Sequence, residues 1–161
     1  MNEDTIFIMH FFNEPLLGLN SKDEYDAHIT FLAHVICVKN ANSTRLLREV
    51  KEIAKNTPKF LIQFGTASYF GVDHDKPVVQ LMKTIEGERL HLDLLQAATS
   101  MGLLLGQPQY AGQNFQPHVS LPLGASTPRG SKVVDTISMV INFNSKLDNS
   151  TEVIGNFSLR G

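Results

Sequence analysis

Between residues 27 and 38 apolar and polar side chains alternate. Ile29, Phe31, Ala33 and Val35 fall on one side of an extended chain; His28, Thr30, Leu32 and His34 fall on the other. This predicts a strand with one face in a core and one face free to line a cleft. "TIFIMHFF" (5–12) is β-rich and is stopped by "NEP" at 13–15. Further strands are expected at 60–67, 77–85 and 117–121, and near 133–143 and 151–160. In two segments the period changes. Across 42–58, Leu46, Leu47, Val50, Ile53 and Ala54 recur at helical spacing, with Ser43 as candidate cap and Pro58 as the stop. Residues 87–102 form a second amphipathic helix with Gly102 as its C-terminal cap. The order is β-β-α-β-β-α-β-β-β, and no linker divides it. The expectation is a single α+β domain over 1–161, built as two antiparallel lobes with one helix packed outside each.

Composition narrows the class. The chain has 161 residues, enough for a core that needs no staples, and 42% of them are apolar against 19% charged. A formal charge of −2 excludes a general nucleic-acid coating protein, so an anionic ligand must meet a local positive site. One cysteine, Cys37, excludes an intrachain disulfide and suits a reducing compartment. The acidic start "MNEDTIF" differs from the basic start of a secretory signal, and no apolar run reaches membrane-spanning length. A cytoplasmic protein, monomeric and without a membrane partner, is expected.

Six histidines are available, at 10, 28, 34, 74, 91 and 118. Only two are followed by an apolar residue, then Ser or Thr, then another apolar residue: His28 in "HITF" and His118 in "HVSL". The spacing has a chemical meaning. Residues i and i+2 of a strand point to the same face about 7 Å apart, so imidazole and hydroxyl address one small anion together. The residues at +1 and +3 anchor the strand. Two such strands brought together surround one phosphate with two imidazoles and two hydroxyls. A neutral imidazole can then take a proton and a protonated one donate it, while the hydroxyls bond the non-bridging oxygens. No metal or other cofactor is required.

The two motifs, 90 positions apart, resemble the HxTx…HxTx pair of the 2H phosphoesterases, the superfamily that includes 2′-5′ RNA ligase-like proteins. "NFQPHVSL" is similar to the family's second-motif segment, and "ISMVINFNS" with "TEVIGNFSL" to its closing strands. The resemblance covers nearly the whole chain. It implies a pseudo-symmetric two-lobed fold, two antiparallel sheets flanking a central cleft, and action on 2′,3′-cyclic phosphates or 2′-5′ linkages of RNA ends or small nucleotides. His28 and His118 carry over as the acid–base pair, and Thr30 and Ser120 as the phosphate-holding hydroxyls. Ser stands in the second motif where the family has Thr. Hydrolysis of 2′-5′ or cyclic oligonucleotide signals, or nucleotide binding without turnover, are the alternatives.

His10, Tyr110, Phe115 and Arg129 are candidate substrate contacts: His10 from a strand beside the motif strand, the aromatics as stacking surfaces, and Arg129 as a cation after the second motif. His34, six residues beyond His28, is expected about 20 Å away at the end of the cleft or on the surface. His91 is expected in solvent and His74 in a polar turn.

Overall fold

In the computed structural model, all residues are described except 1, 2, 14, 16, 22–26, 38, 39, 72, 123 and 144–149. The strands are β1 (Asp4–Phe11), β2 (Gly18–Ser21), β3 (His28–Cys37), β4 (Phe60–Phe70), β5 (Lys76–Leu81), β6 (His118–Ser120), β7 (Ser131–Val134), β8 (Thr136–Asn142) and β9 (Ser150–Ser158). The helices are α1 (Asn40–Asn56) and α2 (Ile85–Ser100), and two short 3-10 turns occupy Pro108–Tyr110 and Gly112–Asn114.

The strands form one antiparallel sheet in the order β2-β9-β8-β1-β3-β6-β5-β4-β7. Two separate sheets were expected. Instead the ladder runs through the middle, because β6 pairs with β3 on one side and β5 on the other. The sheet curls strongly. Asp135 alone separates edge strand β7 from β8, and the rings of Phe12, just after β1, and Phe64 of β4 lie 6.0 Å apart across three intervening strands. The single strand expected near 133–143 is therefore two, broken where the chain passes from one end of the curl to the other.

Both helices pack on the same face of this sheet. Leu46, Val50 and Ala54 of α1 and Leu90, Leu94 and Ala98 of α2 meet Ile6, Ile8, Ile29, Phe31 and Val119 in one core. A smaller apolar cluster, Phe7, Met9, Phe11, Val140 and Val153, lies on the opposite face. Helix α2 ends just before Gly102 as its sequence predicts, and it starts at Ile85, two residues earlier than expected. Thr84 accepts a hydrogen bond from the Gly87 N–H (3.0 Å), and the Gly102 and Leu103 N–H groups bond back to Thr99 and Ala98 with Gly102 at φ 76°. Helix α1 stops two residues before Pro58, but it starts at Asn40, which places Ser43 inside its first turn rather than at the cap. The weak helix formers Asn40 and Asn42 hide that start in the sequence. The short strand β2 also had no clear sequence signal.

The alternation of β3 holds through Phe31 and then slips. The pairings Ile8↔Leu32 and Met9↔Thr30 mark a bulge, so Leu32 joins the helix-side core and Ala33 packs on the other face. His34 adopts a left-handed φ of 54° there, an uncommon conformation for a residue with a Cβ.

Candidate active site

The centre of the sheet is pinned by a row of apolar residues, Ile29 of β3, Val119 of β6 and Val79 of β5, paired side by side and fully buried. Each such side chain contributes about 1.5–3 kcal/mol by leaving water. Because side chains alternate, fixing this row inward turns its neighbours to the opposite face. There His28 is paired with Ser120, and Ser120 with Val78 on its far side. His118 emerges on the same face, opposite Gln80. Antiparallel pairing thus sets the imidazole of one motif against the hydroxyl of the other. His28 and His118 are related diagonally, at the roughly 7–8 Å spacing of such pairs. All four motif side chains, His28, Thr30, His118 and Ser120, are half-buried.

Each motif histidine has an aromatic neighbour. The Phe11 ring lies 5.5 Å from His28, and the Phe70 ring meets His118 edge-on at 4.8 Å. The His118 Nδ1–H donates to the Gln116 carbonyl oxygen at 2.9 Å, which leaves Nε2 carrying the lone pair. Burial pushes the His118 pKa below 6.5, against the smaller upward pull of that hydrogen bond. Phe11 and Gln80 were not legible in the sequence as site neighbours, because cross-strand neighbours depend on register. Gly65 assists this packing: a Cβ there would lie 2.9 Å from the Gln80 carbonyl oxygen.

His34 is on this face as well, half-buried and edge-on to Phe7 at 4.7 Å. Burial lowers its pKa, and the Lys76 ammonium lowers it further. Lys76 pairs with Phe70, which touches His118, so this lysine supplies positive charge on the motif face.

Other sequence candidates lie elsewhere. His10 is paired with Ile29, so it points to the helix side, away from His28; it is 2% exposed and its Nδ1–H donates to the Thr136 carbonyl at 2.8 Å. It is a core residue and not a cleft contact. Phe115 is also core, 8% exposed and stacked on His91 at 4.0 Å with the rings 4° from parallel. His91, expected in solvent, is 3% exposed. Its Nδ1–H donates to the Phe31 carbonyl (2.6 Å), and its Nε2 accepts the Gly112 N–H (2.9 Å). The signal was present: Gly87, Leu90, His91, Leu94 and Ala98 form one helical stripe. Tyr110 is 65% exposed, Arg129 is exposed on the loop after β6, and His74 is exposed in a turn.

Solved structures share this architecture. A phosphoesterase aligns over 99% of both chains with a TM-score of 0.65 at 16% identity. E. coli LigT complexed with 3′-AMP aligns over 100% of both with a TM-score of 0.65 at 15% identity. TT0787 of Thermus thermophilus aligns over 98% of both with a TM-score of 0.66 at 18% identity. The chain shares its fold with these phosphoesterase and LigT structures. No family model and no curated protein sequence matches the chain. The structural likeness therefore extends end to end at identities where fold persists after most side chains have changed.

Proposed function

We propose that the protein is a phosphoesterase that acts on 2′,3′-cyclic phosphate or 2′-5′ phosphodiester linkages of RNA ends or small nucleotides through His28 and His118. The observation that carries this reading is the direct pairing of His28 with Ser120 on the face where His118 also emerges. In hydrolysis of a 2′,3′-cyclic phosphate, Nε2 of His118 takes a proton from water as the water oxygen bonds phosphorus. The P–O2′ bond breaks, and His28 gives its proton to the departing O2′. The Thr30 and Ser120 hydroxyls donate hydrogen bonds to the non-bridging oxygens as charge develops. The Nδ1–H bond and burial of His118 favour its assignment as the base, since both leave a neutral ring with a free Nε2. The two imidazoles account for both proton transfers, so the scheme asks for no metal. Among the described residues no helix is long and apolar enough to cross a membrane, and we take the enzyme to act in the cytoplasm as a monomer.

The test is turnover of 2′,3′-cyclic mononucleotides, 2′-5′ oligoadenylate and cyclic dinucleotides by wild type, His28→Ala and His118→Ala. Each variant should lose about 10²–10⁴ in rate while keeping its melting temperature within a few degrees. Wild-type turnover by either variant would end the two-histidine mechanism. Tight nucleotide binding with no turnover of any substrate by the wild type would point to a binding module instead.

A further inference from the structure

The loop that delivers the second motif borders an open depression of about 300 Å³ lined by Lys83, Gln109, Tyr110, Gln113, Asn114 and Gln116. That volume is at the small end of ligand pockets, enough for one compact ring system and its immediate substituents. The lining is unusual in kind. Four of six side chains are carboxamides, each presenting a donor and an acceptor from one planar group. Among the described residues Lys83 is the single charge that lines the cavity, and no carboxylate does. Tyr110 keeps a broad aromatic surface 65% exposed beside them.

The cavity is coupled to His118 through the chain. Gln116 lines it, and the Gln116 carbonyl is the group that holds the His118 ring. Two residues of extended chain span about 7 Å, so a ligand seated against Gln116 has its nearest substituents within reach of the motif face. The opposite wall is held in place from behind. His91 binds the Gly112 N–H and stacks on Phe115, which ties the second 3-10 turn to α2 and to the carbonyl of Phe31, next to Thr30.

We infer that this cavity is a nucleobase pocket that prefers purines and orients the attached sugar phosphate toward His118, a proposal that rests on the phosphoesterase reading for the orientation of the phosphate. Carboxamides match the mixed donor and acceptor edge of a base, and Asn or Gln pairs with adenine in two-point contacts. Tyr110 supplies the stacking face, on which the larger purine ring covers more area than a pyrimidine. Lys83 faces the anionic part of the nucleotide.

Calorimetric titration tests this with adenosine 3′-monophosphate, uridine 3′-monophosphate and adenosine, on wild type, Tyr110→Ala and the double variant Gln113→Leu/Asn114→Leu. These side chains are solvent-accessible, so the variants should fold, and their melting curves check it. Wild type should bind the adenosine monophosphate about tenfold or more tightly than the uridine one, and both variants should bring that ratio close to one. Equal wild-type affinity for the two nucleotides, or an unchanged ratio in the variants, overturns the pocket. A trinucleotide ending in 3′-phosphoadenosine separates an RNA end from a free nucleotide as the source of the base, and the same purine preference is expected with either. Turnover without base preference upholds the phosphoesterase reading and removes the pocket. Purine-selective binding that Tyr110→Ala abolishes, in a protein with no turnover, upholds the pocket and removes the phosphoesterase reading.

Discussion

His28 and Ser120 are direct cross-strand partners, about 5 Å apart at Cα by the geometry of antiparallel ladders. Residues 92 positions apart in the chain thus share one small patch, and neither motif is complete by itself. Ser120→Ala and Thr30→Val should each lower kcat by about 10²–10³, the usual effect of removing one donor to a developing oxyanion. Thr30→Ser should retain most of the rate. Stability should barely change, since Ile29 and Val119 anchor the two strands on the other face. Steady-state kinetics with a cyclic mononucleotide, beside a thermal melt, checks both parts. Loss of melting temperature in step with rate would assign the hydroxyls to folding rather than chemistry.

The pH profile should carry the signature of a buried base. Burial holds the His118 pKa below 6.5, so the acid limb of kcat/KM should fall with a midpoint under 6.5 as His118 takes up its proton. The Phe70 ring against His118 contributes to that burial. Phe70→Ala admits water and should move the midpoint up toward 6.5. A midpoint that stays in place in Phe70→Ala would show that the ring does not tune the imidazole.

Much of this patch was legible in the chain because its cause is local. A two-residue period places a histidine and a hydroxyl on one face wherever the strand is regular, as at His28/Thr30 and His118/Ser120. Where the period breaks, legibility fails. The bulge that turns Leu32 inward and sets His34 in a left-handed conformation has no glycine to announce it. His10 misleads for a related reason: it lies on the strand next to His28, but its register partner is Ile29, and one residue of register reverses the face. The curl that joins the halves into one sheet depends on pairing between β3 and β6, which no local pattern encodes. Phe115 reads as a loop aromatic until its partner, His91, is known.

His91 makes a testable link between the core and the second motif. Removing its ring leaves the Phe31 carbonyl and the Gly112 N–H without their partners and strips the stacking surface from Phe115. His91→Ala should cost about 2–4 kcal/mol, lowering the melting temperature by roughly 5–15 °C. With the Gly112–Phe115 loop loosened, KM should rise more than kcat falls. His91→Gln, which can donate and accept at similar positions, should recover part of both losses. A variant that melts early but keeps wild-type KM would separate the clasp from the site.

Stability should decline on mild acidification, with His10 as one cause. Its ring is buried on the helix side, its Nε2 has no hydrogen-bond partner among the described residues, and burial together with the charge of Lys132 outweighs the Thr136 carbonyl and Asp135 in lowering its pKa. The unfolded chain, with an ordinary histidine near 6.5, then binds more protons than the folded one just below that pH. Stability is accordingly full above about pH 6.5 and is lost as pH falls through the lowered folded value. His34, His91 and His118, all lowered chiefly by burial, act in the same direction. Urea melts from about pH 7.5 to about pH 5 should show the midpoint falling with pH. His10→Asn keeps a donor for the Thr136 carbonyl and removes the titrating ring, so its midpoint should fall less steeply over that range. An identical slope in wild type and His10→Asn would mean that His10 adds nothing to the acid sensitivity, leaving it to the other buried histidines.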